Sequence, residues 1–335
     1  MKNIAGREIP QELLDQGWKP HLGKDSYRDI EFRKTGPKVK IVNRGTESKL
    51  LNSLEEAFRA CGMRDGMTLS FHHHFRDGDY VMEQVMREVA RLGFQDIKLA
   101  CTSIGSSAQV VADYIEQGIV TGLTTSGIRD RIGEAVSHGK LKEVAVLRSH
   151  GGRIRAIEEG SIRIDIAFIG ASSCDEYGNA SGKGGKSNCG SLSYAEADAM
   201  HADRVVVVTD TLAPYPNKPS HIDGVYVDYV VRVDEIGDPK KIASAAARIT
   251  TNPRDLKISE DCVNVMRALP YFKDGFSFQT GVGGPSIATT IFLREHLKEL
   301  GIKMGWIVGG ISTPMVDLMK EGLVGAIADV QDFDL

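Results

Sequence analysis

The sequence has 335 residues, of which 41% are apolar and 26% charged, and its formal net charge is −4. This composition is typical of a water-soluble globular protein with room for two domains. The mildly acidic balance excludes a broadly basic surface for nucleic acid. No apolar run approaches the roughly 18 residues of a membrane span. We therefore expect a protein that binds neither nucleic acid nor a membrane.

Five cysteines occur, an odd number, and no two of them have the Cys-x-x-Cys spacing. A disulfide framework normally uses an even number of cysteines, and structural zinc sites use closely spaced pairs. The first residues also lack the apolar segment of a secretory signal. These features favour a reducing, cytoplasmic setting without disulfides or structural zinc.

Residues 1–40 are polar and proline-containing, which predicts an N-terminal arm. From residue 48 onwards, strand and helix patterns alternate. The predicted strands of this part are 67–71, 97–101, 120–124, 144–147, 164–169, 205–209 and 227–233. The predicted helices are 50–61, 80–92, 108–117, 128–137 and 156–160. Such regular alternation predicts an α/β fold with an open parallel sheet covered by helices on both faces.

The polar segment 234–253 predicts a boundary, after which a second α/β unit begins. Its predicted helices are 260–269, 287–300 and 315–321, and its predicted strands are 276–279, 304–308 and 326–330. About three βα units make a small open sheet. We therefore expect an arm at 1–40, a first domain at 41–240 and a second, incomplete domain at 255–335.

Residues 148–155 contain three arginines, one histidine and two adjacent glycines. They follow the apolar run 144–147, which we interpret as a buried parallel strand, and precede the predicted helix 156–160. A turn from strand to helix directs backbone N–H groups and the positive helix end at a ligand. Arginine can bind carboxylate or phosphate bidentately. The stretch predicts an anion site, and the alternative is a basic surface loop.

Three other predicted strands end in similar chemistry. Thr102–Gly105 and Thr124–Arg129 combine small polar residues with glycine, and 72–74 is a run of three histidines followed by Arg76. Ligands of open α/β sheets bind at the carboxyl ends of strands. We expect a pocket built from these loops, with the histidines lending N–H donors. A metal site on His72 and His74 is the alternative.

Two glycine-rich segments resemble nucleotide-binding motifs incompletely. Residues 180–187 have alanine where a phosphate-binding loop needs its first glycine, and the preceding strand lies ten residues away. Residues 281–286 have serine at the third glycine position of a dinucleotide fingerprint. We interpret both as ligand loops, the second suited to an anion or a thioester oxyanion.

Several long motifs resemble those of the citrate lyase alpha subunit family, a family of citrate CoA-transferases. They are residues 70–76, 148–153, 165–170, 175–179, 185–190, 214–217, 276–281 and 329–334. The resemblance runs from about residue 5 to the last residue, and the family's chain continues beyond it. It implies two CoA-transferase-like open-sheet domains with the active site between them.

The resemblance also implies a reaction and its partners. An acetyl thioester and citrate exchange acyl groups, giving citryl thioester and acetate. The thioester belongs to a CoA-derived prosthetic group on a small acyl-carrier (gamma) subunit, or to free CoA. A beta subunit then cleaves the citryl thioester. The resemblance thus implies a cytoplasmic, oligomeric, multisubunit complex, with no metal and no tightly bound cofactor in this chain.

The residues that the family motifs and the loop chemistry together nominate form three groups. Citrate-binding candidates are Arg76, Ser126, Gly127, Arg129, Ser149, His150, Gly151, Gly152 and Arg153. Candidate oxyanion donors are His73, His74, Gly283 and Gly284. Candidates for the CoA-derived arm are Gly185, Lys186, Ser187, Asn188, Gly281, Gly283 and Gly284.

Related CoA-transferases form a covalent thioester on a glutamate that follows a Leu-Gly-Ile segment. In this sequence Leu300-Gly-Ile is followed by Lys303 and Met304, and then by Gly305 in place of that glutamate. This departure predicts direct attack by citrate within a ternary complex. Two alternatives stay open: a covalent glutamate-type CoA-transferase, and a non-catalytic or isomerase-like α/β protein that binds a small anion such as a sugar phosphate.

Overall fold

The computed structural model describes residues 1–3, 6–17, 36–40, 48–244, 249–281 and 283–332. Its helices are α1 Gln11–Asp15, α2 Leu54–Cys61, α3 Val81–Arg91, α4 Val110–Glu116, α5 Asp130–Ser137, α6 His150–Glu158, α7 Ser193–His201, α8 Pro239–Ser244, α9 Pro253–Arg267, α10 Gly284–Leu300 and α11 Thr313–Lys320. Half of the predicted N-terminal arm and the start of the predicted first domain lie outside the described residues.

The strands of the first unit are β1 Leu50–Leu51, β2 Thr68–Phe71, β3 Ile97–Cys101, β4 Val120–Thr125, β5 Val146–Leu147, β6 Ile166–Ala171, β7 Ser173–Cys174, β8 Ala180–Ser181, β9 Arg204–Thr209 and β10 Tyr229–Arg232. The second unit has β11 Ser277–Phe278, β12 Met304–Ile311 and β13 Val324–Asp332.

Eight strands form one parallel sheet in the order β1-β10-β9-β6-β2-β3-β4-β5. The chain runs outward from β2 to β5 and then returns to place β6 on the other side of β2. The strand order therefore reverses between β2 and β6, which is where open α/β sheets form a ligand crevice. Right-handed crossovers put α3 to α5 on one face and α6 and α7 on the other. The predicted parallel α/β fold is confirmed.

The described part of the second unit has its own parallel sheet, β11-β12-β13, and its own apolar core. Buried side chains from α10, β12 and α11 form that core, among them Leu293, Leu297, Ile307, Met315 and Leu318. The larger core belongs to the eight-stranded sheet. The chain thus folds around two apolar centres, while the exact domain boundaries stay predictions.

Three local predictions were wrong. Leu50 and Leu51 form β1 beside β10, because their backbone pairs with Val230 and Val231 before α2 begins. Residues 144–147 are not a buried strand: β5 is the last strand of the sheet, so its side chains are exposed. The helix predicted at 156–160 begins at residue 150, so both glycines lie in its first turn.

The described end of the arm, residues 36–40, crosses the amino end of β9. The Lys40 ammonium donates to the carbonyl oxygens of Ala202 and Asp203, at 2.8 and 2.9 Å, and lies 3.4 Å from the Asp228 carboxylate. This contact is at the sheet edge opposite the crevice. None of the described helices has the length and hydropathy needed to cross a membrane.

Two matched substitutions on α10 test whether the two cores unfold separately. Leu297→Ala removes a side chain with 0% exposure and should cost about 2–5 kcal/mol. Leu300→Ala, on the same helix at 42% exposure, should cost far less. Hydrogen exchange followed by mass spectrometry should show faster exchange of β12 amides in Leu297→Ala and unchanged protection of β9. Equal loss of protection in both sheets would show that the two cores unfold as one.

Candidate active site

Three rings pack against one another at the carboxyl end of β2. The centroid of His73 lies 5.2 Å from that of His150 and 4.7 Å from that of Tyr194, and the latter two are 4.9 Å apart. One ring follows β2, one begins α6 and one begins α7. We call His73, His150 and Tyr194 the ring trio. The structure thus brings two predicted residues together with a tyrosine that sequence reasoning missed.

A buried ion pair lies beneath the ring trio. The Arg153 guanidinium donates two hydrogen bonds to the Asp198 carboxylate, at 2.7 and 2.5 Å, and a third to the Ala100 carbonyl oxygen at 2.9 Å. His72 Nε2 lies 3.1 Å from the same carboxylate. Burial alone would raise the pKa of Asp198, but Arg153 and His72 outweigh it and hold that pKa well below its usual range.

The expectation that Arg153 clamps citrate does not fit this geometry. Its side chain is 1% exposed and its fork of N–H donors is directed at Asp198 and Ala100. The sequence did not indicate that Arg153 pairs with Asp198, because Asp198 is 45 residues away on another helix. Arg153 is therefore a structural partner of Asp198.

The pKa values of His73, His74 and His150 are lowered, which favours the neutral form of each ring at physiological pH. Burial, and after it the nearby His150, His72, Arg76 and Arg153, lower the pKa of His73 to about 3. Burial also lowers the pKa of His74 well below its usual value. For His150, burial and then Arg153 act in the same direction. The ring trio is thus a polar but uncharged surface.

The start of α6 keeps part of its predicted role. Ser149 caps the helix, and its Oγ accepts the Gly152 N–H at 3.0 Å. Gly151 has no atom within 4 Å of the position that a Cβ would occupy. His150 Nδ1 is buried without a hydrogen-bond partner among the described atoms. The first turn of α6 therefore combines an open backbone with an unsatisfied ring nitrogen, as a ligand site would.

The other predicted citrate ligands lie at the same edge of the sheet. Ser126 Oγ donates to the Thr102 carbonyl oxygen, so its hydroxyl already has a partner. The Gly127 carbonyl oxygen accepts the Ile104 N–H at 3.0 Å. Arg129 is exposed at the N-cap of α5. Arg76 is half-buried, and its Nη1 donates to the Ile242 carbonyl oxygen at 3.2 Å. Arg129 thus has the more accessible guanidinium of the two.

The second unit reaches this site through β13. The register between β12 and β13 shifts by one residue: Gly309 pairs with Asp329, and Gly310 pairs with Gln331. Val330 is therefore the extra residue of a β-bulge. The Val330 carbonyl oxygen accepts a hydrogen bond of 2.6 Å from Ser193 Oγ, next to Tyr194. Burial and the Asp329 carboxylate raise the pKa of the Tyr194 phenol. The ring trio therefore lies where the two units meet.

The glycine loop after β8 is shaped mainly by packing. A Cβ on Gly185 would lie 1.7 Å from the Ser172 carbonyl oxygen. Ser187 is buried and its Oγ donates to Asp210 at 3.2 Å, so the expectation that its side chain contacts the CoA arm does not fit. Lys186 and Asn188 are exposed. Of the predicted arm-binding side chains in this loop, these two face solvent.

The predicted arm-binding glycines Gly281, Gly283 and Gly284, of which the last two are also predicted oxyanion donors, lie at the carboxyl end of β11. Gly283 is the N-cap of α10 and is exposed. Because β11 is two strand positions from β13, these glycines are on the correct edge but away from the ring trio. Across the part of the chain that the structure describes, no three His, Cys, Asp or Glu side chains group as a metal site would require.

Gly305 is at the amino end of β12, opposite the carboxyl-end edge that carries Asp329. A Cβ there would lie 2.7 Å from the Gly275 carbonyl oxygen, so the glycine is explained by close backbone packing. Glu321 follows α11 and pairs with Arg294 and Lys298. Both positions lie away from the edge where Asp329 affects Tyr194.

Comparison with known proteins decides the family. Residues 47–335 match the sequence profile named citrate lyase, alpha subunit (CitF). The citrate lyase alpha chain of Haemophilus influenzae is 45% identical over 317 residues, which cover 94% of this chain and 62% of that relative. The chain belongs to the citrate lyase alpha subunit family. The Escherichia coli alpha chain is 44% identical over 90% of this chain and 59% of its own length.

Solved structures agree with this family assignment. A Streptococcus mutans structure described as the alpha subunit of citrate lyase in complex with citrate has a TM-score of 0.90 and 48% identity, covering 99% of this chain and 64% of its own. The alpha subunit of malonate decarboxylase from Acinetobacter baumannii has a TM-score of 0.66 at 16% identity and shares the fold. The chain spans about three-fifths of the length of the curated family members that it matches.

Two glycines with opposite surroundings test the packing argument. Gly185→Ala should destabilise the protein by about 1–3 kcal/mol or more, because its Cβ collides with the Ser172 backbone. Gly151→Ala should be neutral or stabilise by up to about 1 kcal/mol, because the helical position has open space. Urea denaturation of both variants measures the difference. A Gly185→Ala variant as stable as the wild type would contradict the packing role.

The lowered pKa of His73 predicts acid sensitivity of folding. Below about pH 6.5 the unfolded chain binds a proton at this residue, whereas the folded chain does so only near pH 3. Its contribution to stability is therefore complete above pH 6.5 and is lost as the pH falls toward 3. His73→Gln should reduce the pH slope of the unfolding free energy between pH 7 and 4 by up to one proton. An unchanged slope, with pH 8 as the reference, would contradict the shift.

Proposed function

We propose that this protein catalyses acyl exchange between an acetyl thioester and citrate, giving citryl thioester and acetate, as a citrate CoA-transferase. The observation that carries the proposal is the 48% identity, over 99% of the chain, to a structure described as holding citrate. The ring trio supports it, since neutral donors and an open helix start lie in the crevice where such folds bind ligands.

The chemistry that we propose has two acyl-transfer steps. A citrate carboxylate oxygen attacks the acetyl carbonyl carbon, and the thiolate leaves, which gives a mixed anhydride. The thiolate then attacks the citryl carbonyl carbon and expels acetate. Each step passes through a tetrahedral oxyanion, and one preorganised hydrogen-bond donor stabilises such an oxyanion by about 3 kcal/mol. No oxidant, reductant or metal is needed to balance either step.

Citrate has three carboxylates, and exposed or half-buried cations at the edge of the crevice suit them. We assign Arg129 and Arg76 to two carboxylates, with backbone groups of Ser126, Gly127 and the first turn of α6 nearby. Ser149, His150, Gly151 and Gly152 form that turn. Arg153 acts on citrate only indirectly, by holding α6 through Asp198.

We propose His73 and the N–H groups around His74 as oxyanion donors, and we assign Gly283 and Gly284, which lie away from the ring trio, to the path of the thioester arm. The thioester arm would approach along the loop that exposes Lys186 and Asn188, with Gly185, Ser187 and Gly281 shaping its path. The arm is a CoA-derived group of an acyl-carrier (gamma) subunit or free CoA, and a beta subunit would cleave the citryl thioester. Free thiols at all five cysteines suit a cytoplasmic complex, which we expect to be oligomeric.

Two arginines on one helix test the citrate site. Arg129→Ala should weaken citrate binding about 10-fold or more, as expected for loss of a hydrogen bond to a charged partner. Arg131→Ala is the control, because Arg131 pairs with Asp113 on α4. Isothermal titration with citrate, acetyl-CoA and a sugar phosphate measures both variants and the wild type. A wild type that prefers the sugar phosphate and ignores acetyl-CoA would overturn the proposed function in favour of an anion sensor.

Kinetics test the order of the steps. With citrate as the nucleophile, both substrates bind before a product leaves, so double-reciprocal plots of labelled acetyl exchange against citrate at several acetyl-CoA concentrations should intersect. A covalent enzyme intermediate gives parallel lines instead. Parallel lines, with mass-spectrometric capture of acyl or CoA on Asp329, would replace the ternary-complex mechanism with a covalent one on the carboxylate of β13.

A further inference from the structure

Thr102, directly after β3, makes two contacts with His73. Its Oγ1 accepts the backbone N–H of His73 at 3.0 Å and lies 2.6 Å from the ring nitrogen Nδ1 of the same residue. Thr102 is 2% exposed. One buried hydroxyl therefore holds both the backbone and the ring of the histidine at the centre of the site.

The second contact joins Thr102 Oγ1 and His73 Nδ1 at 2.6 Å, a hydrogen-bond distance at which either atom could be the donor. If Nδ1 donated, the buried hydroxyl oxygen would accept both bonds and its single proton would have no acceptor among the described residues. The hydroxyl is therefore the donor to Nδ1. Nδ1 is then an acceptor, and the proton of the neutral ring lies on Nε2.

We propose that Thr102 is a positioning residue that fixes His73 as the neutral Nε2–H tautomer, so that His73 donates a hydrogen bond to the tetrahedral oxyanion as an uncharged imidazole. The proposal rests on the proposed acyl exchange and names the form of one of its donors. An uncharged donor gives up no proton in either step. It therefore stabilises the oxyanion by a hydrogen bond alone and does not protonate the thiolate.

The surroundings of His73 agree with an uncharged ring. From its own segment His72 and Arg76 face it, and from α6 His150 and Arg153 face it; both arginine charges oppose a positive imidazole. From α7 the Tyr194 ring packs against it at 4.7 Å. The Asp198 carboxylate is directed at Arg153 and His72.

The tautomer is tested first, without any activity. Long-range proton–nitrogen NMR on protein labelled with ¹⁵N-histidine, with the His73 signals assigned from their loss in His73→Gln, reports which nitrogen holds the proton. We expect a protonated Nε2 and an unprotonated Nδ1 at pH 7. A protonated Nδ1, or an imidazolium, would overturn the proposal whether or not the protein exchanges acyl groups.

Matched variants then test the effect on exchange. Thr102→Val, which removes the hydroxyl, should lower kcat of acetyl–citrate exchange by about 100-fold, with KM for citrate changed much less. Thr102→Ser should restore most of the rate. The amide nitrogen of glutamine reaches the position of Nε2, whereas the amide nitrogen of asparagine reaches the position of Nδ1. Because the proposed donor is Nε2, His73→Gln should be more active than His73→Asn.

The outcomes separate the two claims. No exchange by wild-type protein would count against the proposed function and leave the NMR result to decide the tautomer. Exchange in Thr102→Val at the wild-type rate, or equal rates in His73→Gln and His73→Asn, would overturn the positioning role. If Thr102→Val does not fold, the two His73 variants and the wild-type NMR spectrum still decide whether His73 is the Nε2–H donor.

Discussion

The arrangement of this site depends on one buried ion pair. Arg153 and Asp198 join α6 to α7, and His72 brings the end of β2 to the same carboxylate. Removing one partner of such a pair leaves an uncompensated charge in the interior and typically costs about 3–5 kcal/mol. The three elements held in this way each supply one ring of the trio. The ion pair that stabilises the fold therefore also sets the distances between the three rings.

Sequence periodicity was sufficient for the sheet because buried parallel strands are continuous apolar runs. The strand at 97–101 was predicted with the bounds that the structure shows. The elements β1, β7, β8, α7 and α8 were not predicted. Periodicity failed at β5, because an edge strand and a central strand share an apolar pattern and differ only in what covers them. The apolar pattern also could not show that Gly151 and Gly152 lie inside a helix capped by Ser149.

The site was predictable in chemistry but not in pairing. Loops at strand ends identified His73 and His150, since parallel strands bring their carboxyl ends together. Whether an arginine faces solvent or a buried carboxylate depends on a residue distant in sequence, so the sequence did not show that Arg153 pairs with Asp198. Tyr194 carried no signal at all, because a single tyrosine at a helix start is ordinary until Asp329 and the histidines are seen beside it.

The neutrality of the ring trio has a consequence for how a trianion would arrive. The buried arginine is already neutralised by Asp198 and the imidazoles carry no charge, so the attraction must come from arginines at the rim. Fields from exposed charges are screened within about 8 Å at physiological ionic strength. With citrate as the proposed substrate, its capture would therefore slow as salt is added, while the proposed acyl transfer at the uncharged ring trio would depend on salt much less.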